Sequence, residues 1–328
     1  MGSEVRRSSC YLGLDLGGTN IKAGVVDDSG RPLSSVSGAT RAALGPEAGL
    51  DILGEVATRA LAAGGVDWSE IAAVGLGAAG TLDAAEGRVV DASNLPGWDG
   101  FPLGPRAQER LGRPTVLLND ANAAAFGEYW AGAGRSTGSL VLFTLGTGIG
   151  CGIVESGRIL EGRHGLGGEC GHMTIQMDGG RPCSCGKTGH LEAYASATSV
   201  VRRAVEALEA EPDSSLRASL EDGSLSCRVI AERAAEGDRL ASRLMRETAR
   251  CLGIGAANVM QTVDPELVLF GGGMIAAGSS FLKAIRAEVS EHASPAVSGR
   301  TRVEFAALGG EAGFIGAAGW ARKATIGP

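Results

Sequence analysis

The sequence predicts an α/β protein built from two domains, and three observations lead to that prediction. The chain has 328 residues, which exceeds the usual size of a single hydrophobic core. Strand-like runs alternate with helix-like runs along much of it. Two glycine-rich segments share one layout of strand, glycine turn, strand, Ser-Gly turn and strand. This weak internal similarity indicates two domains with a common plan.

The first glycine-rich segment, YLGLDLGGTNIKAGVVDDSGRPLSS, predicts a β-meander. Gly17 and Gly18 separate its first two β-type runs, and residues 28–30, Asp-Ser-Gly, form a hairpin signal before the third. In the next segment, GPEAGLDILGEVATRALAAGG, apolar residues recur at helical spacing and glycines follow them. The chain therefore opens with a meander and a helix.

The following segments continue the alternation. IAAVGLG predicts a buried strand, a short hairpin surrounds Gly87, and a helical stretch precedes the strand PTVLLN and the helix ANAAAFGEYW. The second meander is SLVLFTLGTGIGCGIVESGRILEG. Residues 197–262 are mainly helical, and PELVLFGGGMI predicts a buried strand that ends in three glycines.

Composition excludes several classes of function. Thirty basic residues against 37 acidic ones give a net charge of −7, which repels polyanions, so we expect no nucleic-acid partner. Glycine and charged residues interrupt every apolar run well short of a membrane span, and the N-terminus has no apolar signal region. Seven unevenly spaced cysteines are poor material for a disulfide framework. We therefore expect a cytoplasmic protein with no membrane partner.

Two nucleotide-binding motifs are present only in part. Residues 75–80 fit G-x-G-x-x-G after a strand, but a dinucleotide site requires a helix next, and Thr81-Leu82-Asp83 runs into another strand. Gly186-Lys187-Thr188 resembles the end of a P-loop, but position 181, where that motif requires glycine, is Arg. We reject both motifs.

The segment around CSCGKTGH predicts a metal site instead. Two thiols and two imidazoles lie within nineteen residues, a set suited to tetrahedral zinc: His172, Cys183, Cys185 and His190. The alternative is that the cysteines are core residues and the histidines are surface residues. Because the surrounding loop is rich in glycine, it cannot become ordered by burial alone, which favours a structural Zn²⁺.

Three glycine-rich strand ends are candidate phosphate sites. A turn of small residues exposes backbone N–H groups and lets an anion approach closely, although any one such turn can also be a plain hairpin. These turns follow Leu16, Leu145 and Phe270.

The motifs together resemble the ROK (repressor, open reading frame, kinase) family of sugar kinases and sugar-responsive repressors. LDLGGTNIKAGVVD, GLGAAGTLD, SNLPGW, LNDANAAAFGE, LGTGIGCGIV, GGECGH, CSCGKTGHLEAYAS and FGGGMI occur in the family order from Tyr11 to Gly319. The resemblance implies a two-lobed actin-like ATPase fold, hexokinase-type and ribonuclease H-like, with sugar and ATP in the cleft between lobes. One departure is His190, which replaces the last cysteine of the family knuckle C-x-C-G-x-x-G-C-x-E; histidine also binds zinc.

The resemblance also assigns residues to the nucleotide. It implies a first phosphate loop in which Asp15 helps to hold Mg²⁺, a second phosphate loop, and a glycine run beside the adenosine of ATP. These residues are Asp15, Gly17, Gly18 and Thr19; Gly146, Thr147 and Gly148; and Gly271, Gly272 and Gly273. Lys22 can point at phosphate, but an exposed strand lysine is the simpler interpretation.

For the sugar, the resemblance implies six polar residues: Asn94, Asn119, Asp120, Glu169, His172 and Glu192. Each has a structural alternative, the asparagines as turn residues and the glutamates as solvated carboxylates. In the family, His172 gives one ring nitrogen to zinc and the other to the sugar. The knuckle would then brace the sugar site.

The predicted function is an ATP-dependent hexokinase, with Asp120 as the base that accepts the proton of the sugar hydroxyl. SNLPGW resembles the glucokinase branch; kinases of N-acetylmannosamine, N-acetylglucosamine or fructose are the alternative. The structural alternative for Asp120 is that it caps the helix ANAAAFGEYW.

The resemblance further implies a small lobe from residues 1–120 and 312–328, and a larger lobe, 121–311, with the knuckle and dimerisation-type helices. It implies a homo-oligomer, a dimer or tetramer. A sugar-sensing repressor is the alternative from another class; such proteins carry a helix-turn-helix before the first strand, whereas ten residues precede Tyr11 here.

Overall fold

The computed structural model describes residues 9–92 and 94–326. They contain the strands β1 Cys10–Leu16, β2 Asn20–Asp27, β3 Val36–Ala39, β4 Ile71–Ala78, β5 Thr81–Asp83, β6 Arg88–Asp91, β7 Thr115–Asn119, β8 Ser139–Leu145, β9 Ile149–Glu155, β10 Arg158–Ile159, β11 Leu267–Gly271 and β12 Arg302–Phe305.

The α-helices are α1 Pro46–Gly64, α2 Leu103–Leu111, α3 Asp120–Trp130, α4 Glu192–Ala195, α5 Ala197–Leu208, α6 Leu216–Glu221, α7 Cys227–Ala235, α8 Arg239–Val263, α9 Ser279–His292, α10 Pro295–Ser298 and α11 Ala312–Ile326. None of these helices is both long and apolar enough to cross a lipid bilayer.

Two compact units account for the described residues. Unit 1 contains those up to Gly138, residues 152–167, and those from Ala307 onward. Unit 2 contains residues 139–151 and 168–306. The lobes predicted from the sequence, 1–120 with 312–328 and 121–311, have other bounds, and that division stays a prediction.

Two five-stranded sheets have the same layout. One has the strand order β3-β2-β1-β4-β7 and the other β10-β9-β8-β11-β12. In the first, β1 pairs antiparallel with β2 and parallel with β4, and β4 pairs parallel with β7. In the second, β11 pairs parallel with both β8 and β12. The repeated order matches the internal similarity predicted from the two glycine-rich segments.

The sheet of unit 1 is covered on both faces. Alternate β1 residues such as Leu12 and Leu14 pack with α1, α2 and Trp98, while Tyr11 packs with Phe314 of α11 on the other face. Because successive side chains of β1 point to opposite faces of the sheet, they contribute to two apolar layers, one on each face.

Small residues let α11 approach its neighbours closely. A Cβ at Gly75 of β4 would lie 1.8 Å from the carbonyl oxygen of Ala317, and one at Gly316 would lie 1.7 Å from that of Ala123 in α3. These glycines are therefore required by helix packing, since a methyl group has no room at either position.

We expect Gly316→Ala to destabilise unit 1, although alanine favours helices. Overpacking of this kind costs about 1–3 kcal/mol, which exceeds the gain of about 1 kcal/mol from helix propensity. Gly54→Ala in α1 is the matched control, because its nearest neighbours are the flexible end of Arg110 at 3.4–3.6 Å. Urea unfolding should show a lower free energy of unfolding for Gly316→Ala only; equal values for both variants would contradict the packing argument.

A buried carboxylate fixes the end of α3. Glu128 is fully buried and accepts hydrogen bonds from the backbone N–H groups of Ala133, Ala307 and Leu308 at 2.9, 3.1 and 2.7 Å. Three charge-assisted bonds satisfy a group that would otherwise be costly to bury. They tie α3, whose first residue is Asp120, to the segment that leads into α11.

Candidate active site and metal centre

Three predicted site residues lie at one edge of the sheet of unit 1. The register places Leu16 beside Ala78 and Ala78 beside Asn119, so the parallel strands β1, β4 and β7 end together. Asp15 is the residue before Leu16, and Asp120 follows Asn119. The carboxyl edge of parallel strands is where α/β proteins bind ligands.

Asp15 is enclosed by α11. A Cβ at Gly313, in the first turn of α11, would lie 2.5 Å from Asp15 Oδ2. Burial raises the pKa of Asp15. The charge of Lys22, which pairs with Asp15 from the neighbouring strand β2, opposes that effect. A cation at this carboxylate would relieve the cost of its burial. Lys22 itself donates to the carbonyl oxygen of Gly310 at 2.9 Å.

The first glycine turn contacts the predicted sugar residue Asn94. A Cβ at Gly18 would lie 2.7 Å from the Asn94 carbonyl oxygen, so only glycine fits there. Thr40 fixes the turn, since its N–H donates to the Thr19 carbonyl at 2.9 Å and its hydroxyl to the Gly17 carbonyl at 2.6 Å. Ser93, which precedes Asn94 in the SNLPGW motif, is outside the described residues.

Asn119, and not Asp120, caps α3. The Asn119 Oδ1 accepts from the N–H groups of Ala121 and Asn122 at 2.9 and 3.2 Å, and its Nδ2 donates to Gly80 at 3.1 Å. Asp120 is the first residue of the helix, and its Oδ1 also accepts from the Ala121 N–H at 2.8 Å. The structural alternative that Asp120 is the cap is therefore wrong, because the helix begins at Asp120, one residue earlier than that alternative requires.

Unit 2 places its two glycine turns at the carboxyl edge of its own parallel strands. Gly271 pairs with Thr144, and a Cβ at Gly272 would lie 2.4 Å from the Leu145 carbonyl, directly before the turn at residues 146–148. The chain after Gly273 borders a cavity of about 550 Å³, between α7, α8 and α9. Its lining includes Arg239, Arg246 and Phe281.

The four predicted metal ligands form one cluster in unit 2. One ligand atom from each of His172, Cys183, Cys185 and His190 lies within 4.8 Å of all the others. Cys183 Sγ is 3.5 Å from His172 Nδ1, and Cys185 Sγ is 3.2 Å from His190 Nδ1. Such spacings are those of two sulfurs and two nitrogens around a tetrahedral zinc ion.

The chemistry of the cluster fits Zn²⁺. Burial raises the pKa of the Cys183 thiol, so a cation is needed to keep it as the thiolate ligand at neutral pH. With both histidines facing sulfur through Nδ1, His172 directs Nε2 elsewhere, 4.0 Å from Oε2 of Glu169. His172 can therefore hold a metal and a second group at the same time.

Both carboxylate oxygens of Glu192 accept hydrogen bonds from the protein, unlike those of a solvated carboxylate. Its Oε1 accepts from the Ser184 hydroxyl at 2.6 Å, and its Oε2 accepts from the Ile149 N–H at 2.9 Å. A Cβ at Gly148 would lie 2.4 Å from the same Oε2. Ser184 was not among the predicted residues; its position between two cysteines is the only local signal, and the contact depends on the folded loop.

Neither rejected nucleotide motif has the local structure of a nucleotide site. Residues 75–80 lead into strand β5 and not into a helix. The Gly186-Lys187-Thr188 triplet belongs to the metal loop, where the Lys187 carbonyl accepts from the Cys183 N–H at 2.8 Å.

Proteins of known family and structure are similar to this chain over nearly its whole length. The profile of the ROK family matches residues 11–324. The chain belongs to the ROK family. A glucokinase of Halalkalibacterium halodurans is 36% identical over 95% of the chain and 94% of that protein. A ROK family glucokinase from Streptomyces griseus in complex with glucose and AMPPNP is 37% identical, covers 96% of this chain and 99% of that one, and has a TM-score of 0.80.

A ROK hexokinase from Thermus thermophilus has the same TM-score of 0.80, with 36% identity over 97% of this chain and 100% of that one. The predicted fold class, an actin-like ATPase fold, is therefore confirmed for this ROK protein.

Proposed function

We propose that the protein is an ATP-dependent hexokinase that phosphorylates the 6-hydroxyl of glucose. The observation that carries this proposal is the meeting of Asp15, Asn119 and Asp120 at one carboxyl edge, on strands β1 and β7 and the start of α3. The glucokinases of Halalkalibacterium halodurans and Streptomyces griseus, similar over nearly the whole chain, support the same reaction.

Asp120 is the proposed catalytic base. A sugar hydroxyl is a weak nucleophile, so a carboxylate must accept its proton as the oxygen attacks the γ-phosphorus. The oxygen–phosphorus bond to the sugar forms, the bond from the γ-phosphorus to the β-phosphate oxygen breaks, and ADP leaves. Asn94, Asn119, Glu169, His172 and Glu192 are the proposed sugar contacts. The capped N-terminus of α3 keeps Asp120 in place.

The nucleotide contacts come from the glycine turns. Backbone N–H groups of residues 18–19 and 147–148 are proposed to face the phosphates, and Gly271–Gly273 to pass the adenosine. The N–H groups of Gly17 and Gly146 close the two turns instead, by donating to the carbonyls of Asn20 and Gly148 at 3.1 and 3.0 Å. The cavity between α7, α8 and α9 is large enough for the adenine base, and Arg239 and Arg246 make it attractive to an anion. Asp15 would hold Mg²⁺, which neutralises charge on the phosphates.

Zinc at the cluster is proposed to be structural. Four protein ligands leave no open coordination position, so the metal would order the loop and take no part in the reaction. Through His172 it would also orient the segment that carries Glu169. The cytoplasmic location and the homo-oligomer predicted from the sequence stay predictions.

A panel of sugars at fixed Mg-ATP tests the proposed acceptor. We expect glucose to give the highest kcat/KM for ADP release, above N-acetylmannosamine, N-acetylglucosamine and fructose. One hydroxyl contact in a polar site can discriminate by several orders of magnitude, because the analogue leaves buried groups unpaired. A higher kcat/KM for N-acetylmannosamine would overturn the choice of glucose and leave the kinase assignment intact.

A further inference from the structure

The metal cluster and the glycine turn at residues 146–148 are joined by one short path of hydrogen bonds. Ser184 lies between the two cysteine ligands, and its hydroxyl donates to Glu192 Oε1 at 2.6 Å. The other oxygen of the same carboxylate accepts from the N–H of Ile149, the residue after the turn, at 2.9 Å. All of these groups belong to unit 2.

Glu192 is hydrogen-bonded through its backbone as well as through its side chain. Its backbone carbonyl accepts from the Ser199 hydroxyl at 2.7 Å, and Ser199 is in turn bonded to Ser196, the cap of α5. The same segment reaches the other end of the turn, where the Ala197 N–H donates to the Gly146 carbonyl at 2.9 Å. The turn is thus tied at both ends to the chain that follows the metal loop.

The composition of the turn reflects this contact. A Cβ at Gly148 would lie 2.4 Å from Glu192 Oε2 and 3.3 Å from its carboxyl carbon. Glycine at this position therefore leaves room for the carboxylate of Glu192. Movement of Glu192 would change the backbone N–H directions of the turn.

We propose that Ser184 is a positioning residue that couples the metal cluster to the turn at residues 146–148 through the carboxylate of Glu192. Cys183 Sγ lies 3.9 Å from Glu192 Oε1, much farther than the Ser184 hydroxyl at 2.6 Å. The Ser184 hydroxyl therefore keeps Glu192 in place, and the ordered loop keeps Ser184 in place.

This inference rests on the proposed function in one respect, since it takes the turn to bind nucleotide phosphate. We expect Ser184→Ala to retain about one zinc per chain, because none of the four ligands changes. The Kd for AMPPNP should rise about 3- to 10-fold, the usual effect of losing one ordinary hydrogen bond, because Ser184 acts on the turn only through Glu192. The KM for glucose should rise as well, because Glu192 is also a proposed sugar contact. Ser184→Thr, which keeps the hydroxyl, should restore nucleotide affinity.

The experiment measures AMPPNP binding by calorimetry and zinc by elemental analysis for the wild type, Ser184→Ala and Ser184→Thr. Ser290→Ala, an exposed serine of α9, is the control and should match the wild type. Removing zinc with a chelator should weaken AMPPNP binding in the wild type and add little to the loss in Ser184→Ala, because both changes interrupt one path.

Three results would overturn the coupling: an unchanged Kd for AMPPNP in zinc-loaded Ser184→Ala, loss of zinc from that variant, or an unchanged Kd after zinc is removed from the wild type. Failure of the proposed function has a different signature, since the wild type would then release no ADP with any sugar or would not bind AMPPNP.

Discussion

Asp120→Asn should lower kcat by roughly 10²- to 10⁴-fold and leave the fold unchanged. The amide cannot accept the proton of the sugar hydroxyl, so the step that the carboxylate assists becomes slow. Asparagine can still accept the hydrogen bond that Asp120 Oδ1 receives from the Ala121 N–H. The cap of α3 is Asn119, which this variant retains.

Steady-state kinetics and thermal unfolding together check this prediction. Tm, zinc content and the Kd for AMPPNP should stay near the wild-type values in Asp120→Asn. Asn119→Ala is the matched control for structure, because it removes the cap and should cost about 1 kcal/mol of stability. If Asp120→Asn retains more than about a tenth of the wild-type kcat, the base is another residue, and Glu169 is the next to replace.

The capping of α3 shows where sequence reasoning is limited. Asparagine and aspartate both cap helices well, so the pair Asn119-Asp120 predicts a cap without deciding which residue serves. That choice depends on where α3 begins, and the helix begins at Asp120, where the Asn119 side chain accepts from the next N–H groups. Element type was predictable from local pattern, and the exact first residue of the helix was not.

The first meander gives a second example. Its first two strands are β1 and β2, as the alternation of apolar residues predicts. The third run was expected directly after Gly30, but β3 begins at Val36. Pro32 lacks a backbone N–H and makes only an isolated bridge with Val26, so regular pairing starts later.

Contacts between distant residues were the least predictable. Gly75 and Gly316 look like ordinary glycines in the sequence, and only the approach of α11 and α3 accounts for them. The bonds from Glu192 to Ser184 and Ile149 likewise depend on the folded loop. By contrast, the cluster of His172, Cys183, Cys185 and His190 was predictable, because these four residues lie within nineteen residues at a spacing typical of zinc sites.

Loss of the metal should affect the sugar more than the nucleotide. The purified protein should contain about one zinc per chain, and Cys183→Ser should contain almost none, because three ligands hold zinc far more weakly than four. Without zinc, His172 loses the partner of its Nδ1, and the segment with Glu169 loses its orientation. We expect kcat/KM for glucose to fall about 10- to 100-fold, the usual effect of losing a group that orients site residues.

The Kd for AMPPNP should rise only several-fold in Cys183→Ser, since the first glycine turn belongs to unit 1 and keeps its contacts with Thr40. Cys251→Ser, at a partly buried cysteine of α8, is the control and should retain zinc and activity. His190→Cys should also retain zinc, because it exchanges one good ligand for another at the same position. Elemental analysis that finds no zinc in a fully active wild-type enzyme would remove the structural role of the cluster, and a Cys183→Ser variant that keeps both zinc and glucose affinity would exclude Cys183 as a ligand.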